Sequence, residues 1–190
     1  MINHKYKVFV DSSCSVLGFP VIRAEWKQYS KSHFKLRDGP SCHQILAALR
    51  TRLPHTPQEG QAVFEYLASV VSSKKWIISQ LRMSVSLVAL PAFSPSQRRE
   101  IGDSAIVPYM EENQKTVSLL KPTECFVGAP DRKILSKVFR FVDFGDAANK
   151  FLQLCGTQKD PSPTQIATKL LENPSHFYDM CGEAEQYVLF

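Results

Sequence analysis

Helix starts constrain this chain more than any other feature. Four tetrapeptides have the form of a capping box: SCHQ from Ser41, TPQE from Thr56, SPSQ from Ser94 and SPTQ from Ser162. In each, a hydroxyl can accept a hydrogen bond from the amide three residues on, while Gln or Glu reaches back to the cap's own amide. Pro57, Pro95 and Pro163 stand at the first helical position, where a fixed φ fits and the missing N–H has no partner to lose. Helices must therefore open near residues 42, 57, 95 and 163, and any strands must fit between them.

The apolar spacing agrees with those starts. Ile45, Leu46, Leu49 and Leu53 recur at helical period after the first box, and Pro54 ends the run. Val63, Phe64, Leu67, Val70 and Val71 do the same after the second. The link between the two is short, which predicts an antiparallel helix pair. Trp76, Ile77 and Leu81 predict a third short helix beginning near Ser73. Ser94 predicts a short polar helix. Ile166, Leu170 and Leu171 continue the last box until Asn173-Pro174 interrupts it before a short turn with Phe177 and Tyr178. Strand patterns lie elsewhere: YKVFV near the start, the alternating run from Val85 to Leu90, AIVPYM and TVSLL flanking the polar EENQK as a hairpin, and then ECFVG and FRFVDFG. Gly18, Gly128 and Gly145 punctuate strand ends, where turns need freedom in φ.

These elements predict an α+β fold, with short strands in one or two small sheets packed against capped helices. The chain reads as a single region over 1–190, or as two parts, 1–72 and 104–190, joined by 73–103. A repeat is visible: VFVDSS near residue 8 matches CFVGAP near residue 125, and PSCHQILAAL from Pro40 matches PSPTQIATKL from Pro161. Either a strand-turn-helix unit is duplicated, or shared capping chemistry alone produces the match.

At 190 residues, with 44% hydrophobic and 22% charged residues, the composition is that of an ordinary globular protein. Lys plus Arg is 23 against 18 for Asp plus Glu, a net charge of +5. The basic residues come in dispersed pairs (Arg50 and Arg52, Lys74 and Lys75, Arg98 and Arg99, then Arg132 to Arg140), which reads as solvated faces. A nucleic-acid face would need them gathered with reading elements. Five cysteines, at 14, 42, 125, 155 and 181, form no CxxC, so they read as buried free thiols of a reducing compartment. The longest apolar run, VALPAF, is too short to span a bilayer, and the N-terminus carries no signal pattern. The expected location is intracellular, in the cytoplasm, with no membrane association.

No chemical motif is complete. Asp143-Phe144-Gly145 matches the magnesium tripeptide of protein kinases, but the glycine-rich loop, strand lysine and HRD loop that must accompany it are absent. The structural reading fits better: Val138, Phe139, Phe141, Val142 and Phe144 form a strand buried on both faces, Asp143 or Asp146 caps the following helix, and Ala147, Ala148, Phe151, Leu152 and Cys155 supply its stripe before Gly156 closes it. The histidines at 4, 33, 43, 55 and 176 have no metal-ligand spacing. Adjacent Cys42 and His43 diverge on a helix, and Glu111-Glu112 reads as a solvated hairpin tip. Phe139-Arg140-Phe141 interleaves a cation with aromatics on a strand, in a pattern that core packing explains. No catalytic, cofactor-binding or metal-binding residue is assigned, and no cofactor is expected.

Four longer phrases, FEYLASVVS, TVSLLKPTECFVG, FRFVDFGDAANKFLQLCG and PSPTQIATKLLENPSHFYD, resemble a region of large, poorly characterised fungal proteins. Those proteins are similar to sacsin and begin with an ATPase module of the GHKL type. The resembling region, about Val8 to Tyr178, lies downstream of that module. The resemblance implies an intracellular protein with a chaperone-like or scaffold role. It does not carry ATP binding to these residues, because Asp143-Phe144-Gly145 continues as Asp146-Ala147 without the module's glycine-rich lid. The apolar ending EQYVLF reads as a cut end of a larger product. The expected function is therefore non-catalytic, a scaffold or co-chaperone-like piece acting through contacts with a protein whose identity is open. The alternative is a basic nucleic-acid-associated domain, and nucleic acid is the less favoured partner.

Overall fold

Hydroxyl caps set the helices where the sequence places them. The computed structural model describes residues 8–72, 93–111, 116–129 and 133–181. Ser41, Ser94 and Ser162 each accept from the amide of Gln44, Gln97 and Gln165, and each Gln side chain accepts from the cap amide in return. These boxes open α1 (Cys42–Thr51), α3 (Pro95–Gly102) and α6 (Pro163–Glu172). Thr56 opens α2 (Pro57–Ser72) with a variation. Its hydroxyl accepts from the Glu59 amide at 3.1 Å, but the Glu59 carboxylate accepts from His55, one residue further back, at 2.8 Å.

The fold is α+β. β1 (Val107–Met110) and β2 (Val117–Leu120) form the antiparallel hairpin expected around EENQK, with Val107 opposite Leu120 and Met110 opposite Val117. β3 (Phe126–Val127) pairs in parallel with β4 (Phe141–Val142), and α4 (Lys133–Val138) makes the crossover that a parallel pair requires. The strand expected over FRFVDFG is thus shorter than its apolar pattern. Val138 belongs to α4, and the Phe139 amide closes that helix on the Leu135 carbonyl at 2.8 Å, so only Phe141 and Val142 are left for the ladder. After β4 come α5 (Asp146–Leu154) and α7 (Pro174–Cys181), the latter following α6 across Asn173-Pro174.

The short link between α1 and α2 does not make them a packed pair. α2 lies mainly on α5 and also against the 3-10 turn Ser12–Leu17 and β1. The main core is one cluster that joins α1, α2 and α5, with Phe64, Phe93, Phe151, Ile45 and Leu67 fully buried. Phe64 meets Phe144 at 5.2 Å and Phe93 meets Phe151 edge-on at 6.1 Å. Phe126, Leu135 and Phe139 form a second, smaller cluster, against which Phe141 and Ile166 pack. On α5 the buried stripe is Ala148, Phe151 and Leu152, with Cys155 just beyond, whereas Ala147 is exposed. The run YKVFV contributes only a bridge at Phe9 among the described residues. The helix expected near Ser73 and the alternating run Val85 to Leu90 lie outside the described residues.

The repeat seen in the sequence has a backbone counterpart. In the first half, Phe9 bridges Val21 on one side and Arg37 on the other, both in parallel. In the second, Phe126 pairs with Phe141 and bridges Gln158, again in parallel. The amides follow the same plan: Phe9 donates to Pro20 and Val10 to Arg37, while Phe126 donates to Arg140 and Val127 to Gln158, all at 2.9–3.2 Å. Each half then reaches its box at Ser41 or Ser162. Just before the third strand position, each half places a residue at positive φ, Lys35 at +49° in the first and Gly156 at +107° in the second. Shared capping chemistry reproduces a helix start, but not a three-way parallel ladder with matching donors.

Candidate binding face at residues 23–37

The candidates singled out in the sequence do not come together. Asp143 is exposed and serves the backbone: its carboxylate accepts from the Gly145 amide at 3.0 Å and from the Asn149 side chain at 2.9 Å. The Asn149 carbonyl oxygen accepts from the Phe144 amide at 3.1 Å. The cap position of α5 is Gly145 itself, at φ +84°, with no side-chain cap, so neither Asp143 nor Asp146 fills that role. The Gly145 amide, first, and the Asn149 amide hold the Asp143 carboxyl below its ordinary range.

Four thiols, Cys14, Cys42, Cys125 and Cys155, form no disulfide among the described residues, and burial disfavours their thiolates. Cys14, Cys125 and Cys155 are buried and Cys42 is half-buried. Burial pushes Cys14 up to about 11 and Cys125 and Cys155 up to about 12, and it raises Cys42 as well. Such thiols stay protonated at neutral pH, and the thiolate is the reactive form. His43, beside Cys42, is exposed. Among the described residues, no three His, Cys, Asp or Glu side chains gather to hold a metal ion. Of Glu111 and Glu112, only Glu111 is described, and it is half-buried.

Phe139-Arg140-Phe141 borders a cleft of about 780 Å³ between the hairpin, α4 and α6. Phe139 is buried, Phe141 half-buried, and Arg140 exposed, beside Lys137 and Lys169. Two of the cleft's charged residues are in ion pairs, Glu124 with Lys121 at 3.4 Å and Lys169 with Glu172 at 2.7 Å. A second cavity, about 260 Å³, is lined mainly by Leu46, Leu49, Leu53, Ile101 and Ile106, with the Arg50–Glu100 ion pair also in its lining.

The outlying feature is the stretch RAEWKQYSKSHFKLR from Arg23 to Arg37. Its two ends are fixed by the bridges from Phe9 to Val21 and Arg37. Between them the chain makes a 3-10 turn, Ala24–Tyr29, and then folds back on itself. Ser30, buried, donates its hydroxyl to the Lys27 carbonyl at 2.6 Å, while the His33 and Phe34 amides both donate to Tyr29, at 3.0 and 3.2 Å. Lys35, the one non-glycine residue at positive φ among those described, turns the chain out again. This turn is held by backbone hydrogen bonds rather than by a core, which leaves its rings outside.

Trp26 and Phe34 are each 50% exposed and Tyr29 is 39% exposed, in a chain whose other described Trp, Tyr and Phe rings are, except for Tyr178, buried or half-buried. The exposed rings touch one another: Trp26 meets Tyr29 at 6.1 Å and Phe34 at 6.3 Å, and Tyr29 meets His33 edge-on at 5.4 Å. Arg23, Lys27, Lys31, Lys35 and Arg37 surround them, all exposed, against only Glu25 and Asp38. The single ion pair in the patch, Lys31 to Asp38 at 3.4 Å, has both side chains 75% exposed and holds little charge back. Five of the chain's 23 basic residues fall within this one stretch. The signal stood in the sequence as alternating rings and lysines, but in a turn without helical or strand period, where pattern reading gives it no face.

Residues 2–190 match a family described as "Protein of unknown function (DUF3684)". The chain belongs to that family. Neither the curated proteins nor the solved structures contain a match to it. Among the described residues, no helix is long and apolar enough to cross a membrane.

Proposed function

We propose that this chain is a non-catalytic protein-binding module, a scaffold or co-chaperone-like part of a sacsin-like protein working inside the cell, and that Trp26, Tyr29, His33 and Phe34 form its contact face. One observation carries the reading: a cluster of mutually packed aromatic rings is exposed and ringed by cations on a chain whose other described aromatics, Tyr178 apart, are buried or half-buried. Exposed apolar patches rimmed by polar residues mark interaction sites, and Trp, Tyr and Arg dominate binding energy at protein interfaces. The protonated free thiols fit a reducing compartment.

The five cations also support the alternative, a nucleic-acid-associated surface. The ring geometry favours protein. Base stacking needs free ring faces along a groove, whereas Tyr29–His33 and Trp26–Phe34 stand at 87° and 76°, edge against face. A photoreactive phenylalanine placed at Phe34, irradiated in the native cells, tests the proposal. A discrete protein adduct, absent when the same group sits at exposed Ala47 on α1, is the expected result. Adducts that are nucleic acid, or none at all, would overturn it.

A further inference from the structure

The two halves of the chain treat the same element differently, and the difference says what kind of surface the aromatic face awaits. Each half runs central strand, crossover, second strand, second crossover, third strand position and capped helix. In the second half the second crossover is α5, whose Ala148, Phe151 and Leu152 are buried because α2 lies along it. In the first half the second crossover is the turn from Arg23 to Leu36, which carries Trp26, Tyr29 and Phe34. The chain leaves both crossovers through a residue at positive φ, Lys35 in one and Gly156 in the other. The two crossovers therefore hold equivalent places in the chain order of their ladders. One is covered by an amphipathic helix; the other has its rings exposed and no helix packed along it among the described residues. α2 is already engaged, since its remaining contacts go to the turn Ser12–Leu17 and to β1.

Resting on the binding-module reading above, we infer that the Trp26–Tyr29–Phe34 face docks an amphipathic α-helix of a partner protein, with an apolar stripe for the rings and acidic residues along its flanks. The helix follows from what covers the equivalent crossover, α5. The acidic flanks follow from Arg23, Lys27, Lys31, Lys35 and Arg37 around the rings, because charge complementarity steers such encounters and excludes basic partners. A second copy of this chain is a poor occupant, since a two-fold contact through this face would set the same lysines against themselves. An apolar stripe read at i, i+3, i+4 and i+7 by a preformed apolar cluster is a recurrent mode of recognition.

The probe is a stapled, fluorescein-labelled helical peptide with Leu at those stripe positions and Glu on both flanks, titrated by anisotropy into the full chain. Three further probes are a Lys-flanked peptide with the same stripe, a scrambled Glu peptide and a short oligo-dT. The Glu-flanked helix should bind, with the Lys-flanked and scrambled peptides at least about tenfold weaker. Trp26→Ala with Phe34→Ala should weaken binding about tenfold or more, the loss typical of anchor residues, without lowering the melting temperature, because both rings are half exposed. Lys27→Glu with Lys31→Glu should shift preference toward the Lys-flanked helix. The inference is overturned if the Glu-flanked helix does not bind, if the ring variant binds it unchanged, if oligo-dT binds more tightly through the same rings, or if sedimentation shows ring-dependent self-association instead. Protein adducts from the Phe34 position without helix binding would sink this inference alone. Absence of adducts would sink the binding-module reading itself.

Discussion

Gly102→Ala sets two known effects against each other, and the structure decides between them. Gly102 is the last residue of α3 and is buried. On helix propensity alone, alanine in place of glycine stabilises by about 0.5–1 kcal/mol. Here a Cβ would stand 2.1 Å from the carbonyl oxygen of Cys155, and 3.6 Å from the Thr123 methyl. The clashing atom is backbone at the end of α5, and the Thr123 hydroxyl already donates to the Gly102 carbonyl at 3.2 Å, so no flexible side chain can yield. Overpacking of this kind costs about 1–3 kcal/mol and sometimes more. The packing effect exceeds the propensity gain, so the variant should lose roughly 1–2 kcal/mol. For a domain of this size that lowers the melting temperature by about 2–8 °C. Gly39, with no atom within 4 Å of its ideal Cβ and an ordinary φ, is the control. Gly39→Ala should leave the melt unchanged or raise it. A thermal or urea melt in which Gly102→Ala equals or exceeds Gly39→Ala would refute the close approach of α3 to α5.

Four further outcomes follow from other sites. Ser162→Ala removes a hydroxyl that accepts from Gln165 at 3.2 Å and should cost about 1 kcal/mol in urea titration, while Ser96→Ala, inside the first turn of α3, should cost far less. Phe144→Ala should cost about 3–5 kcal/mol, because the ring is 3% exposed against Phe64. Asp143→Asn should be mild at neutral pH but should flatten the acid limb of the stability profile: the native carboxyl is held low by Gly145 and Asn149, so its contribution is present above the unfolded carboxylate range and is lost as pH falls through the lower folded value. Lys35→Gly should stabilise, or at least not harm, because Lys35 sits at φ +49°, whereas Gly156→Ala should destabilise, with a Cβ at 3.2 Å from the Thr123 methyl added to the strain of φ +107°.

How far the fold is legible from the sequence depends on how local the determining interaction is. A capping box is satisfied within four residues, so three boxes appear as written and the fourth shifts only the amide that donates to its Glu59 carboxylate, from Thr56 to His55. The β1–β2 hairpin is nearly as local. Strand length is not. Val138 and Phe139 have strand character, yet the parallel pairing of Phe126 with Phe141 leaves α4 to make the crossover, and the helix takes Val138 and closes on the Phe139 amide. The pairing of α2 with α5 instead of α1 is likewise a decision of the whole core, carried by Phe64 against Phe144, and no short link encodes it.

The candidate face was legible in composition but not in period. Its rings and lysines stand in one stretch of the sequence, yet hydrophobic periodicity assigns a face only to helices and strands. The turn from Arg23 to Arg37 gets its shape from Ser30, from the paired amides on Tyr29 and from Lys35, which are backbone choices without an apolar stripe. The repeat supplies what the period cannot. By placing this turn where α5 stands in the second half, it turns an irregular exposed segment into the member of a pair that no described helix covers, while the other member has a helix along it and buries Phe151 and Leu152. The asymmetry is therefore informative in both directions. If the first-half face bound nothing, its three exposed rings would have no compensation for remaining in water, and hydrophilic substitutions at Trp26 and Phe34 would be free in every assay, not only in stability.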